Sequence, residues 1–285
     1  MNLEIDGVVV SIDGLEPGHL ATIHQTLRNA LTKRGVKTRE AIEEAFSAGI
    51  TIAPQVNPSD LWHHVIYREF IRVMKETGNS ANPGQSWVRT SGDGFELFLE
   101  KYYSARLYND QVKVKALFTT TERTAALRDM GIQDKVGGSK LDISIRAYGK
   151  MIGGIHAKTS LAERVSDDVP ASRAMMQAGF LSALVTLDVK SFPPSPTVSN
   201  TRAYVNKGEL GTPAAPTDKR KYIEQHGDFD VCVSYNLRTV PSPEQTLSGK
   251  RIFITILGSD HPDALELAIR ERLKQIHPQE EEHKL

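Results

Sequence analysis

The stretch GGSKLDISIRAYGKMIGGIHAKTSLAERVSDDVP, residues 137–170, contains two runs in which apolar and polar side chains alternate. In the first run, Leu141, Ile143 and Ile145 alternate with polar residues, which is the period of a strand with one face on a core. The second run, IHAKTS, has the same period. A glycine-containing connection over residues 148–154 predicts that the two strands form a hairpin.

Each of these two strands carries a charged residue opposite its apolar face. Asp142 lies on the first strand and Lys158 on the second, so the two side chains can be neighbours across the hairpin. A carboxylate there can hold a hard divalent cation while the ammonium group faces a phosphate. On spacing alone, an ordinary surface pair of aspartate and lysine is the simpler interpretation.

Residues 142–158 resemble the active-site signature of the PD-(D/E)xK nucleases, with a histidine in the position of the second acid. The sequence around this signature gives a more specific match, because it resembles type II restriction endonucleases whose targets contain CCGG. This resemblance spans roughly residues 57–238 and is carried by the runs NPSDLWHHVIYR, QSWVRTSG, GGIHAKTSLAERVSDDVPAS, LVTLDVKSFPP, KGELGTP, HGDF and SYNLRT.

The resemblance implies an activity, a cofactor and two catalytic residues. The implied reaction is a Mg²⁺-dependent double-strand cut at a short palindromic site in double-stranded DNA, leaving staggered ends. Asp142 would bind Mg²⁺, and Lys158 would orient or deprotonate the attacking water and offset the developing charge. Two copies of the chain would be needed to cut both strands of a palindrome, so we expect a homodimer on DNA.

The sequence departs from the standard signature at His156, because imidazole is a poor ligand for Mg²⁺. In relatives that read CCGG the missing acid lies on a following helix, and the resemblance makes Asp168 the candidate, with Asp167 as the runner-up. Either residue could instead simply cap that helix. The resemblance also implies that Glu96 joins the active site, although a solvated helix face is the alternative.

Target reading is expected from the segment that follows Lys158. Arginine matches guanine O6 and N7, and a carboxylate accepts from cytosine N4, so the resemblance assigns Glu163 and Arg164 to C·G pairs. As sequence alone, an adjacent Glu-Arg pair is commonplace. Weaker candidates for contacts with bases or phosphates are Arg89, Lys207 and Arg238.

Composition describes an ordinary globular protein. The 285 residues are 39% hydrophobic and 25% charged, with a formal net charge of zero. Zero net charge argues against a non-specific nucleic-acid coat but is compatible with a local basic cleft. A single cysteine excludes an intrachain disulfide and a cysteine zinc cluster. No signal peptide or membrane-spanning stretch is visible, which predicts a cytoplasmic protein.

Alternating strands and helices predict a mixed α/β sheet flanked by helices, with a helical N-terminal part. We expect an N-terminal hairpin and helical subdomain over residues 1–80, and a catalytic and DNA-recognition nuclease core over 81–285. Predicted strands cover residues 112–118, 180–189, 231–235 and 252–257. Predicted helices cover residues 17–34, 38–48, a segment from 57 onward, 86–103 with an interruption near 92–94, 121–129, a segment beginning at 167–170, and 262–276.

Two other functions share parts of this pattern. A repair or recombination nuclease of the same superfamily would use Asp142 and Lys158 but cut by DNA structure. A non-cleaving DNA-binding protein on a degenerate nuclease fold is the other alternative, because the second acid of the signature is missing.

Overall fold

The computed structural model describes residues 1–5, 7–78, 82–136, 141–161, 165–189 and 207–276. The N-terminal part contains β1 (Asn2–Ile5), β2 (Val8–Ser11), α1 (Pro17–Thr32), α2 (Thr38–Ile52), α3 (Pro58–Asp60), a π-helical segment (Leu61–Ile66) and α4 (Tyr67–Glu76). The remainder contains α5 (Pro83–Arg106), a 3₁₀ turn (Tyr108–Asp110), β3 (Val112–Ala116), α6 (Thr120–Asp129), β4 (Ile143–Ala147), β5 (Lys150–Lys158), α7 (Val165–Gln177), β6 (Leu181–Thr186), β7 (Gly211–Thr212), β8 (Ala215–Pro216), α8 (Asp218–Glu224), β9 (Val231–Ser234), β10 (Ile252–Ile254) and α9 (Ala264–Ile276).

Six strands form a mixed sheet in the order β10-β9-β6-β5-β4-β3. β3, β4 and β5 pair antiparallel, whereas β5, β6, β9 and β10 pair parallel. Every residue of β6 and β9 is buried, as expected for parallel strands covered on both faces. The predicted mixed α/β sheet is therefore confirmed.

Successive residues of β6 face two different apolar clusters. Ala183 and Val185 belong to the large cluster that includes Phe95 of α5 and Ile269 of α9. Leu184 belongs to a separate cluster with Val169 of α7 and residues of α8. The period of two along the strand thus places α5 and α9 on one face of the sheet and α7 and α8 on the other.

The hairpin between β4 and β5 is tighter than the sequence predicted. Its turn consists of Tyr148 and Gly149, which both have positive φ, as a two-residue hairpin loop requires. The predicted connection over residues 148–154 is wrong, because Gly153 and Gly154 lie inside β5. A Cβ at Gly154 would lie 2.4 Å from Leu141 Cδ1, so this glycine permits close packing within the sheet.

Helix α5 is continuous, so the predicted interruption near residues 92–94 is wrong. Each interior glycine costs roughly 1 kcal/mol relative to alanine, which is why the sequence favours a break. In the fold, a Cβ at Gly94 would lie 2.9 Å from Ile42 Cγ2 of α2. Close packing of α2 against α5 therefore explains this glycine, and tertiary contact keeps the helix intact.

The N-terminal helices share a core with the sheet. Ile23 of α1, Phe46 of α2 and Phe70 of α4 lie in the same large apolar cluster as Ile155 of β5. The expected domain boundary near residue 80 lies outside the described residues. In the described ranges, no helix is long and apolar enough to cross a bilayer.

Candidate active site

Asp142 and Lys158 meet at one end of the β4-β5 hairpin. Ile143 pairs with Ile155, so Asp142 lies diagonally across from Lys158. Asp142 Oδ2 accepts hydrogen bonds from Lys158 Nζ and from the backbone N–H of Ala157, each at 2.9 Å. The structure brings the two side chains together as the alternation predicted, and both are largely buried.

Asp168 completes a charged cluster around Lys158. It lies in the first turn of α7, is buried, and places Oδ2 at 3.0 Å from Lys158 Nζ. Asp167, the alternative acid, is exposed on the same turn. Lys158 therefore lies between two aspartates that come from different elements of the fold.

The two aspartates stabilise the charged form of Lys158, and Lys158 stabilises the charged form of Asp142. Burial on its own raises the pKa of Asp142, but the charge and hydrogen bond of Lys158 outweigh it and leave the pKa below its ordinary value. Burial lowers the pKa of Lys158, yet Asp142 and Asp168 together raise it above its ordinary value. Lys158 is therefore a cation in this arrangement.

Glu96 projects from α5 as a buried carboxyl group that lacks a close partner. Its Oε2 atom has no hydrogen bond among the described residues, and Arg123 Nη2 lies 3.8 Å away. Burial, together with the charge of Asp142, raises the pKa of Glu96 to about 8 against the opposing effect of Arg123. Glu96 is thus close enough to Asp142 for the charge of Asp142 to oppose its ionisation.

His156 points to the other side of the sheet from the apolar core of α5. The side chain is fully buried, and its ring makes an edge contact with Phe229 at a centroid distance of 5.5 Å. Burial lowers the pKa of His156 despite the opposing charges of Asp168 and Asp142, so the ring is neutral. Its Nδ1 lies 3.9 Å from Asp168 Oδ1, beyond hydrogen-bond distance.

The donor atoms of this cluster fit a divalent cation whose other ligands are waters or a substrate phosphate. Among the described residues, no set of three His, Cys, Asp or Glu side chains forms a ready metal cage. Mg²⁺ commonly uses one or two protein carboxylates together with waters and substrate phosphates. Asp142 and Asp168 supply two carboxylates, and the unpaired buried oxygen of Glu96 is a further acceptor nearby.

The predicted DNA contacts fall in different places. Glu163 and Arg164 lie outside the described residues. Arg89 is exposed on α5, and Lys207 is exposed beside Gly208. Arg238 is partly buried, and its Nη1 donates to the buried carboxylate of Asp60, which favours a structural tie over a DNA contact.

Sequence reasoning missed Arg123, the cation that faces Glu96. Its Nε donates to the carbonyl of Leu117 at 2.7 Å, which fixes the direction of the guanidinium group. The local signal was the capping box formed by Thr119 and Glu122, because it defines where α6 begins. The capping box predicts where α6 begins, but it does not predict that Arg123 faces Glu96.

Two comparisons with known proteins identify the family. A family model described as BsaWI restriction endonuclease type 2 matches residues 109–252. The type II restriction enzyme AgeI of Thalassovita gelatinovora is 46% identical over 270 residues, which are 90% of this chain and 94% of that enzyme. This chain belongs to the BsaWI-type family of type II restriction endonucleases.

A solved structure of the same family agrees with this assignment. The crystal structure of the specific AgeI–DNA complex matches with a TM-score of 0.86 and 43% sequence identity, covering 95% of this chain and 99% of that chain. The resemblance read from the sequence and the restriction-endonuclease fold are confirmed. The protein is a type II site-specific deoxyribonuclease, and the assigned role of each site residue stays a prediction.

Proposed function

We propose that this restriction endonuclease makes a Mg²⁺-dependent double-strand cut at a short palindromic site containing CCGG, leaving staggered ends. The observation that best supports this proposal is the position of Lys158 Nζ, 2.9 Å from Asp142 and 3.0 Å from Asp168. A cation between two carboxylates matches the charge pattern that phosphodiester hydrolysis needs. The AgeI–DNA complex supports double-stranded DNA as the partner.

Asp142 and Asp168 are the proposed ligands of Mg²⁺. When bound there, the ion would polarise the scissile phosphate and lower the pKa of its water. Asp142 is well placed for this role because the N–H of Ala157 fixes its carboxylate. Glu96 is the proposed additional acid, held near Arg123 and facing the same space.

Lys158 is the proposed electrostatic catalyst. Because its pKa is raised by the two aspartates, Lys158 retains its proton and so orients water and offsets the charge of the phosphorane. This favours the orienting role over the alternative in which Lys158 deprotonates the water. His156, which is neutral and fully buried, supports the packing beneath the site and takes no part in binding Mg²⁺.

Target reading is proposed for Glu163 and Arg164, with Arg89 and Lys207 as weaker contacts, whereas Arg238 is bonded to Asp60. An arginine matches guanine and a glutamate matches cytosine in the major groove. Cutting both strands of a palindrome requires two active sites related by symmetry, so we infer a homodimer on DNA.

The test is a digest of plasmid DNA with Mg²⁺, followed by sequencing of the ends. Discrete fragments with uniform staggered ends inside a CCGG-containing palindrome are the expected result. Nicking that follows DNA structure would instead indicate a repair nuclease. Retained binding without any cleavage would indicate a DNA-binding protein, and either result would refute the proposal.

A further inference from the structure

Glu209 lies where the chain leaves the catalytic strand β5. Its Oε2 accepts hydrogen bonds from the backbone N–H of Leu161 at 2.7 Å and from Ser160 Oγ at 3.3 Å. Lys219 Nζ lies 3.4 Å from the same oxygen. The carboxylate is largely buried, so these contacts are strengthened by a low local dielectric.

The sheet holds Lys158 itself, and Glu209 holds the chain beyond it. Backbone hydrogen bonds from Leu187 to Lys158 at 3.1 Å and from Val189 to Thr159 at 3.0 Å extend the parallel pairing of β5. Two residues after Thr159, the N–H of Leu161 is bonded to Glu209 in place of a neighbouring strand. Glu209 therefore fixes the backbone of Leu161 at the point where the pairing of β5 has ended.

The backbone of Glu209 is itself fixed. Its N–H donates to Asp188 Oδ1 at 2.6 Å, and its carbonyl accepts from Thr217 Oγ1 at 3.0 Å. Gly208 has a φ of +74°, and a Cβ there would lie 2.1 Å from Asp188 Oδ2. Only glycine permits this approach, so Glu209 is presented to Leu161 from a rigid support.

Both neighbours of residues 162–164 are anchored close to Glu209. Leu161 precedes these residues and Val165 follows them, and both are buried in one apolar cluster. Leu210, the residue after Glu209, belongs to the same cluster. A change at Glu209 would therefore free the backbone N–H of Leu161, whereas Val165 would keep its place in the apolar cluster.

We propose that Glu209 is a positioning residue for target recognition. By holding the N–H of Leu161, it directs the chain toward Glu163 and Arg164 and so sets how strongly the enzyme rejects sites with one wrong base pair. This inference rests on the proposed function of Glu163 and Arg164. It assigns Glu209 no part in the chemistry at Lys158, which the sheet holds independently.

The experiment compares Glu209→Ala, Glu209→Gln and a matched control in the full chain. Asp230 is the matched residue, because it accepts the backbone N–H of Ser182 at 3.0 Å and pairs with Lys250 at 2.7 Å. Asp230→Ala thus removes a similar set of contacts near the beginning of β6, whereas Glu209 lies beyond its end. Single-turnover cleavage at saturating enzyme is measured on two duplexes. One carries the site identified by the plasmid digest, and the other carries the same site with one core C·G pair replaced. The melting temperature of each variant is also measured.

We expect Glu209→Ala to lower the ratio of cognate to near-cognate cleavage by about tenfold or more, the scale of losing one base contact. The saturating rate on the cognate duplex should stay within a few-fold of wild type. Glu209→Gln retains an oxygen that can accept from Leu161, so it should recover much of the ratio. Asp230→Ala should lower the melting temperature and leave the ratio unchanged.

Two results would overturn the inference while the wild-type enzyme still cuts its site. An unchanged ratio in Glu209→Ala, with only a lower melting temperature, would make Glu209 a structural brace. A collapse of the cognate rate at an unchanged ratio would place its effect on Lys158. If the wild-type protein leaves every duplex uncut, the proposed function itself fails, and the role of Glu209 fails with it.

Discussion

Glu69 and Glu96 are both buried glutamates, but their surroundings are opposite. Glu69 on α4 accepts two hydrogen bonds from Arg72, each at 2.7 Å, and lies 3.5 Å from Arg28. Glu96 on α5 has an oxygen without a hydrogen bond, and its cation lies 3.8 Å away. Because desolvating a charge is costly unless it is paired, the fold pairs Glu69 with arginines, whereas at Glu96 burial raises the pKa.

The largest expected effect comes from replacing Lys158 in the active site, which is compared with replacing Arg72, a partner of Glu69. Lys158→Ala should lower cleavage by at least about a hundredfold to a thousandfold, the range for losing one preorganised donor. Specific binding, measured by mobility shift with Ca²⁺ in place of Mg²⁺, should change only a few-fold. Arg72→Ala, which removes the partner of Glu69, should cut at nearly the wild-type rate.

Normal turnover in Lys158→Ala would remove this residue from the mechanism. A large loss of turnover in folded Arg72→Ala would show that the two regions do not differ as their contacts indicate.

The next largest effect is expected at Asp168, the candidate for the second acid of the signature. Asp168→Asn keeps the size of the side chain but cannot contribute a charge, so it should lose most Mg²⁺-dependent cleavage, by about a hundredfold. Asp167→Asn is the control on the same turn, and its exposed side chain should be dispensable. Initial cleavage rates across a range of Mg²⁺ concentrations measure both variants.

The reverse outcome, an inactive Asp167→Asn beside an active Asp168→Asn, would transfer the role to Asp167. If both variants cut normally, the second acid must come from Glu96.

The parts of the site that were predictable depend on short sequence patterns. Period-two alternation placed Asp142 and Lys158 side by side, and a helix-start cluster placed Asp168 on the next helix. In each case the signal and the structure lie within a few residues of one another. The chemical roles came from family resemblance, because alternation alone is equally consistent with a surface pair.

The parts that were missed depend on contacts distant in sequence. The glycines in α5 signalled a break, but Gly94 packs against Ile42, about fifty residues earlier in the chain. Glu209 reaches Leu161 across a separation of 48 residues. No local sequence pattern indicates either contact, so neither could be predicted from the sequence alone.

The pH dependence of the unfolding free energy tests whether the buried Glu96 resists ionisation, unlike the paired Glu69. Its pKa in the fold is about 8, above the ordinary value of 4.5, because burial and the charge of Asp142 oppose ionisation. The folded state therefore binds more protons than the unfolded state between these values, and stability should fall as pH rises from about 5 to 8. Glu96→Gln should remove this contribution, roughly 3–4 kcal/mol across the window.

Urea unfolding without divalent metal at pH 5 and pH 8 measures this difference between wild type and Glu96→Gln. The variant should be more stable than wild type at pH 8 and similar at pH 5. Equal pH dependence in both proteins would show that Glu96 ionises as an ordinary solvated glutamate.

The smallest expected effect is at Glu69, where the charge is structural. Glu69→Gln keeps one oxygen that can accept from Arg72 but removes the negative charge that Arg28 and Arg72 share. Part of that loss is recovered, because both arginines also pair with Glu76. Arg72 is half exposed, so solvent screens its share, and we expect a loss of about 1–2 kcal/mol of unfolding free energy.

Glu76→Gln is the matched control for Glu69→Gln, because Glu76 binds the same two arginines from an exposed position. Urea unfolding at pH 7 should show a smaller loss in Glu76→Gln than in Glu69→Gln, since only Glu69 is buried. The sign should also differ from that of Glu96→Gln, which is expected to gain stability at the same pH. If the Glu69 and Glu76 variants lose equal stability, burial adds nothing to the pairing of Glu69, and the contrast between the two glutamates then lies only in their nearest cations.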